Sequence, residues 1–353
     1  YVAGIVCIPI VLIGRLYGSS IWGFLAACLA GITHSYYNRT LAGYYDTDMF
    51  SITIPAFALY FLLSASRRES LGFAAAAAMA LYLYRFFYAS GQAITGSLVI
   101  AFIAFRLGLL VLDHFLVYRG SFKESCSKPS SIFTFKSLIL ISFAGYAEAW
   151  SYGSWIIASP LRFFLGIVII LAGYFALAFL FSTKATDKGK NKEGRWSVKR
   201  DFNPYILPAI CIAVVSFSTL SSDMRGKIFA KLERYVSAGE GVAMKSSQKE
   251  KGYGLNYLDV FSTVREASEV PPKVVRNRIL SDIPTCSCPR CLPAKDANDT
   301  FLIPTAILGL LGVGLLFLRY WEFCLALPFV AIAYYCFKGA VGLRFTVHVG
   351  NVA

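Results

Sequence analysis

Charge is what this sequence has least of. Only 15% of its residues are Asp, Glu, Lys or Arg, against roughly 25% in a soluble domain, while 57% are hydrophobic and the mean hydropathy is +0.59. Such a balance excludes an ordinary water-soluble domain and points to an all-α polytopic membrane protein. Histidine is nearly absent: with His34, His114 and His348 alone, no Ser-His-Asp or Cys-His pairing is evident. Internal repeats are missing too. A transporter would explain intramembrane charges such as Arg106 and Asp113, but it predicts Gly/Pro-broken helices in two related halves, and none are seen. The first residue is Tyr rather than Met and the chain ends straight after an apolar segment, which reads as a piece of a longer chain.

What is there is a series of apolar segments near the roughly 20 residues that cross a bilayer. They lie at about 1–14, 21–36, 49–65, 71–88, 94–117, 132–148, 155–181, 205–222, 301–318 and 322–340, which predicts ten crossings. Within the fourth, "FAAAAAMAL" reads as an interface that lets neighbouring helices approach closely. Lys and Arg concentrate in alternate short loops, at Arg15, Arg67, Arg68, Arg119, Lys123, Lys128, Arg319 and seven times in "STKATDKGKNKEGRWSVKRDFN". Cytoplasmic loops hold such an excess, so these face inward. The formal net charge of +14 thus suits an anionic inner leaflet and calls for no nucleic acid.

This orientation sends three chemical-looking stretches to the outer, periplasmic face of a plasma (inner) membrane. They are the loop with "GYYDTDMF", the long loop at 223–300 and the closing "GLRFT". Asp46 and Asp48 stand against seventeen uncharged residues, Met49 to Ala65. One of them suffices to cap the helix that starts near Met49, by accepting from its free N–H groups. A second carboxylate beside two tyrosines is what a hard divalent cation such as Mg²⁺ or Mn²⁺ prefers. In the long loop, "SAGEGVAMKSSQKEKGYG" has the composition of a mobile segment, whereas "LNYLDVFSTVREASEVPPKVVRNRIL" carries apolar anchors suited to a gate over a bound peptide; the plainer alternative is a linker with Glu266 solvated.

Arg85 and Arg162 fall toward the outer ends of their segments, against the inside bias, where they either snorkel or meet a lipid-linked phosphate. Arg106 and Asp113, two helical turns apart, are expected to lean on neighbouring helices. Cys7, Cys28, Cys126, Cys211, Cys324 and Cys336 read as reduced, packed thiols. Outside, "CSCPRC" (Cys286, Cys288, Cys291) lacks the four ligands of a zinc site, and an oxidising compartment favours a disulfide plus one spare thiol.

"NRTLAGYYDTDM" closely resembles the first external-loop motif of the oligosaccharyltransferase catalytic subunit, in its bacterial single-subunit (PglB) type. "STVREASEV" is similar to that family's T-I-x-E motif, and "LRFT" resembles its lipid-pyrophosphate arginine segment. The resemblance implies a GT-C glycosyltransferase that moves an oligosaccharide from a polyprenyl-pyrophosphate donor to the asparagine of N-x-S/T acceptor proteins, with Mn²⁺ or Mg²⁺. By carry-over Asp46 and Glu266 are metal ligands, Asp48 holds the acceptor amide, Arg39 supports the acidic cluster, Arg344 contacts the pyrophosphate and Arg278 contacts the acceptor. Arg85 and Arg162 join the donor-phosphate set. "DANDT" fits the acidic sequon (D/E-x-N-x-S/T) of the bacterial enzymes and makes Asn298 a candidate glycosylation site, although sequons also arise by chance.

The sequence departs from the family at both ends. The earliest external loop with its own aspartate, and the soluble domain with W-W-D, are not in it, so the fragment alone is expected to be inactive. Another polyprenyl-phosphate-sugar transferase of the GT-C class is the main rival, but it has no reason to carry "TVRE" in a long late loop.

Overall fold

The computed structural model describes residues 2–32, 48–87, 92–117, 126–150, 160–180, 205–220 and 305–331. All regular structure among them is helical. A 3-10 turn, Val2–Val6, leads into α1 (Cys7–Leu16), followed by α2 (Ser20–Ile32), α3 (Asp48–Arg68), α4 (Leu71–Phe87) and α5 (Gln92–Leu112). Helix α5 widens into a π turn at Asp113–Val117. Then come α6 (Pro129–Trp150), α7 (Pro160–Leu180), α8 (Ile206–Leu220) and α9 (Thr305–Arg319), and a 3-10 turn Trp321–Ala326 that runs on as helix to residue 331. Each falls on one of the ten expected segments. Proline opens α6 and α7, where its missing N–H costs nothing.

The α1–α2 corner shows how closely sequence dictates local geometry. Gly18, at φ +90°, takes the left-handed conformation that only glycine adopts without strain. It lets Gly18 N donate to the Arg15 carbonyl (3.2 Å) and Ser19 N to the Gly14 carbonyl (3.0 Å), which closes α1 with a Schellman turn. Ser19 Oγ then accepts from Trp22 N at 3.4 Å and opens α2. The two helices fold back in contact at Gly14 and Gly23, where a Cβ on Gly23 would lie 2.9 Å from the Gly14 Cα.

Helix α4 is the centre of the bundle. Ala74 and Ala77, with Leu81 and Tyr84, join Leu62, Leu63, Leu98, Phe102, Leu138 and Ile141 in one buried cluster contributed by α3, α4, α5 and α6. Ala78 and Tyr82 face another way, onto Ile170 of α7. The alanine run is therefore buried on two faces, as its small side chains allow. Arg106, 4% exposed, ties α5 to α6: its Nη2 donates to Thr134 Oγ1 (2.6 Å) and its guanidinium lies 4.8 Å from the Phe133 ring centre. That is the neighbour-helix role expected of it. Cys7, Cys28, Cys126, Cys211 and Cys324 are free thiols, as expected, but only Cys126 and Cys211 are buried and Cys28, expected to be packed, is exposed on α2.

Candidate functional site

Helices α3 and α4 run antiparallel, so the start of one meets the end of the other. Pro55 lies inside α3 and has no N–H to offer the Ser51 carbonyl one turn earlier. The Tyr84 hydroxyl of α4 donates to that carbonyl instead, at 2.8 Å and fully buried. One turn further out, the Phe50 and Phe87 rings meet at 4.8 Å. Helix α7 joins them: Phe163 packs edge-on to Phe86 at 4.5 Å, and its carbonyl accepts from the Tyr82 hydroxyl at 3.5 Å. Tyr84→Phe should cost about 1–2 kcal/mol of bundle stability, because it withdraws the proton that serves the carbonyl freed by Pro55. Thermal unfolding of Tyr84→Phe against Tyr82→Phe, whose longer hydrogen bond makes it the milder change, checks this.

Three of the residues singled out from sequence are thereby brought to one end of the bundle. Asp48 is the first residue of α3, Arg85 lies two residues before the end of α4, and Arg162 lies two residues after the start of α7. Asp48 at a helix start is where a carboxylate is electrostatically favoured. Asp46, Arg39, Glu266, Arg278, Asn298 and Arg344 lie outside the described residues, as do Cys286, Cys288, Cys291 and Cys336. Among the described residues no three His, Cys, Asp or Glu side chains gather into a metal site. The expected ligands are all oxygen donors, a set that fits a hard divalent cation and not a soft one.

The opposite end carries the basic turns, and sequence reasoning missed how they interlock. The Tyr17 ring lies 4.7 Å from Tyr320 and 4.8 Å from Phe323, and the Arg67 guanidinium covers both tyrosines at 4.6 and 5.2 Å. Its parts are separated by some three hundred residues, so no local pattern announces it. The Tyr17 phenol is pushed above its ordinary value of 10 by burial and, next, by the Glu322 carboxylate; nearby Arg67 offsets part of this. The group is neutral when protonated, so its contribution to stability is complete below pH 10 and is lost as pH rises through the higher folded value. An alkaline titration followed by phenolate absorbance should show one fewer late-titrating tyrosine in Tyr17→Phe than in the wild type.

Residues 1–187, just over half of the chain, match the family described as "Oligosaccharyl transferase STT3, N-terminal", and the chain belongs to that family. The match takes in Arg39, Asp46, Asp48, Arg85 and Arg162. Two curated proteins named "Undecaprenyl-diphosphooligosaccharide--protein glycotransferase" are each 25% identical to it over 348 residues, one from Campylobacter jejuni subsp. jejuni serotype O:2 and one from Campylobacter jejuni strain RM1221. The similarity covers 99% of this chain and 38% of each relative, so the chain spans well under half of their length.

Proposed function

We infer that this chain is the membrane-embedded catalytic part of an oligosaccharyltransferase. It transfers an oligosaccharide en bloc from a polyprenyl-pyrophosphate donor to the asparagine of N-x-S/T sequons, with the acidic D/E-x-N-x-S/T form favoured. The single observation that carries this reading is the meeting of the α3 start, the α4 end and the α7 start, which gathers Asp48, Arg85 and Arg162 at one pole of a family-member bundle. The names of the two Campylobacter relatives supply the donor and acceptor classes.

The bundle's surface supports a multi-pass membrane setting. Phe50–Arg68 and Ile94–Phe115 are long and apolar enough to cross a bilayer. Large apolar side chains face outward on other helices, with Trp22 72%, Phe179 75% and Leu318 75% exposed, whereas Ser64, Ser137 and Ser142 are buried. Hydrocarbon is the solvent that suits this arrangement. With the basic turns inward, the Asp48 pole faces the periplasm.

An amide nitrogen is a poor nucleophile because its lone pair is delocalised over a planar peptide-like bond. Asp48, accepting from the acceptor amide protons, favours a rotated C–N bond and frees that pair. Arg344 holds the donor pyrophosphate, aided by Arg85 and Arg162, and opposes the charge that develops as it leaves. Arg39 keeps the acidic cluster in place and Arg278 holds the acceptor peptide. Asp46 and Glu266 would hold Mn²⁺ or Mg²⁺, which when bound supplies further charge neutralisation for the pyrophosphate. As a single-subunit enzyme, a complete chain purified alone should glycosylate an N-x-T peptide from a lipid-linked oligosaccharide. Absence of product from an otherwise folded, donor-binding chain would refute the assignment.

A further inference from the structure

We propose that the interlocked turns at the basic pole form a binding site for the phosphate of an anionic phospholipid headgroup in the inner leaflet. The proposal rests on the membrane reading above and adds a ligand to a face that the transfer reaction does not use. Arg67 is exposed, yet its guanidinium lies against the adjoining Tyr17 and Tyr320 rings, at 4.6 and 5.2 Å. Arg319, also exposed, approaches the same Tyr320 ring at 5.6 Å, and its Nε donates to the Tyr320 hydroxyl at 3.3 Å. Two guanidinium groups thus converge on one ring. Each gains from the ring's negative face, and each repels the other.

An anion bound at this cluster offsets that repulsion. The guanidinium fork matches the geometry of phosphate oxygens, and because stacking has already ordered it, little further side-chain entropy is lost on binding. Glu322 stands near the Tyr17 phenol and reduces the local charge, but Arg67 itself lies against rings rather than carboxylates. The surroundings favour a lipid over a free ion. Trp321, next to Tyr320, is 68% exposed, and Leu318 is 75% exposed, while Ile21 (74%) and Trp22 (72%) stand just beyond the Tyr17 turn. Exposed apolar side chains thus lie within a few residues of Tyr17 and of Arg319 in sequence, suited to acyl chains beneath a headgroup, and Trp is the residue type that aromatic belts use.

The test uses the full chain, purified in mild detergent and analysed by native mass spectrometry with phosphatidylglycerol or phosphatidylcholine added. The wild type should retain phosphatidylglycerol about 30-fold better than the double variant Arg67→Gln, Arg319→Gln, the factor that two arginines contribute at an anionic surface. Phosphatidylcholine binding should be equal in both, and Arg15→Gln, which alters a cation outside the ring cluster, should keep the preference. Equal retention of the two lipids by the wild type, or an unchanged preference in the double variant, overturns the site. Displacement of phosphatidylglycerol by millimolar inorganic phosphate would mean a soluble anion site and overturns the lipid assignment. A melting curve of the double variant in phosphatidylcholine discs should match the wild type, which separates lost binding from lost fold. A wild-type chain that enters no lipid disc at all would instead sink the membrane reading itself.

Discussion

Asp46→Ala and Glu266→Ala, each made in a complete chain, are expected to reduce peptide glycosylation by about a thousandfold, the scale on which removing one preorganised charge partner acts. The two carboxylates are proposed to share one cation, so their losses should not add: the double variant should be scarcely slower than either single one. A chelator should silence the wild type and added Mn²⁺ should restore it, whereas the variants should answer only to much higher metal concentrations. Asp48→Ala should behave differently, since its proposed partner is the acceptor amide. Metal dependence should survive there while turnover falls. Initial rates of glycopeptide formation across metal concentrations separate the two roles. Full activity in Asp46→Ala or Glu266→Ala would overturn the metal-site assignment.

Ala77→Phe is expected to be the most damaging single change in the described bundle. Ala77 is wholly buried in the cluster shared with Leu62, Leu98 and Leu138, so helices α3, α5 and α6 leave no room for a ring. Overpacking of this kind typically costs about 1–3 kcal/mol, and a wholly buried site asked to take a whole ring belongs at or above the upper end. A drop in thermal stability in detergent, with loss of monodispersity, is the expected result. The contrasting change, Leu315→Phe, enlarges a side chain that is 67% exposed on α9 and should be nearly silent. Equal tolerance of both would mean that α4 is not packed as described.

The positions of the helices were legible because two signals agree, apolar run length and the placement of charge. The third segment, expected at 49–65, runs from Asp48 to Arg68; it gains a turn because Arg67 and Arg68 place their charges outside the apolar body. The alanine run of α4 announced its crowded surroundings correctly. The π turn at Asp113–Val117 and the 3-10 entries at Val2–Val6 and Trp321–Ala326 were not legible, since they answer to packing rather than to local composition. Nor could the service of Tyr84 to the Ser51 carbonyl be foreseen. Pro55 shows that a donor is missing, but only the fold shows who replaces it. Of the site residues, the places of Arg85 and Arg162 near helix ends were readable from the limits of the apolar segments, while the meeting of those helix ends with the start of α3 depends on which helices neighbour one another.

The contacts around Tyr17 also anchor the foot of helix α9. Helix α9 exposes most of its length, including Leu311, Leu315 and Leu318, whereas the turn at its foot buries Phe323, Leu325, Ala326 and Phe329 in the bundle. It therefore stands like a mast stepped at its base. A rod of fifteen residues is about 22 Å long, so a tilt of about 5° at its foot swings its far tip by about 2 Å.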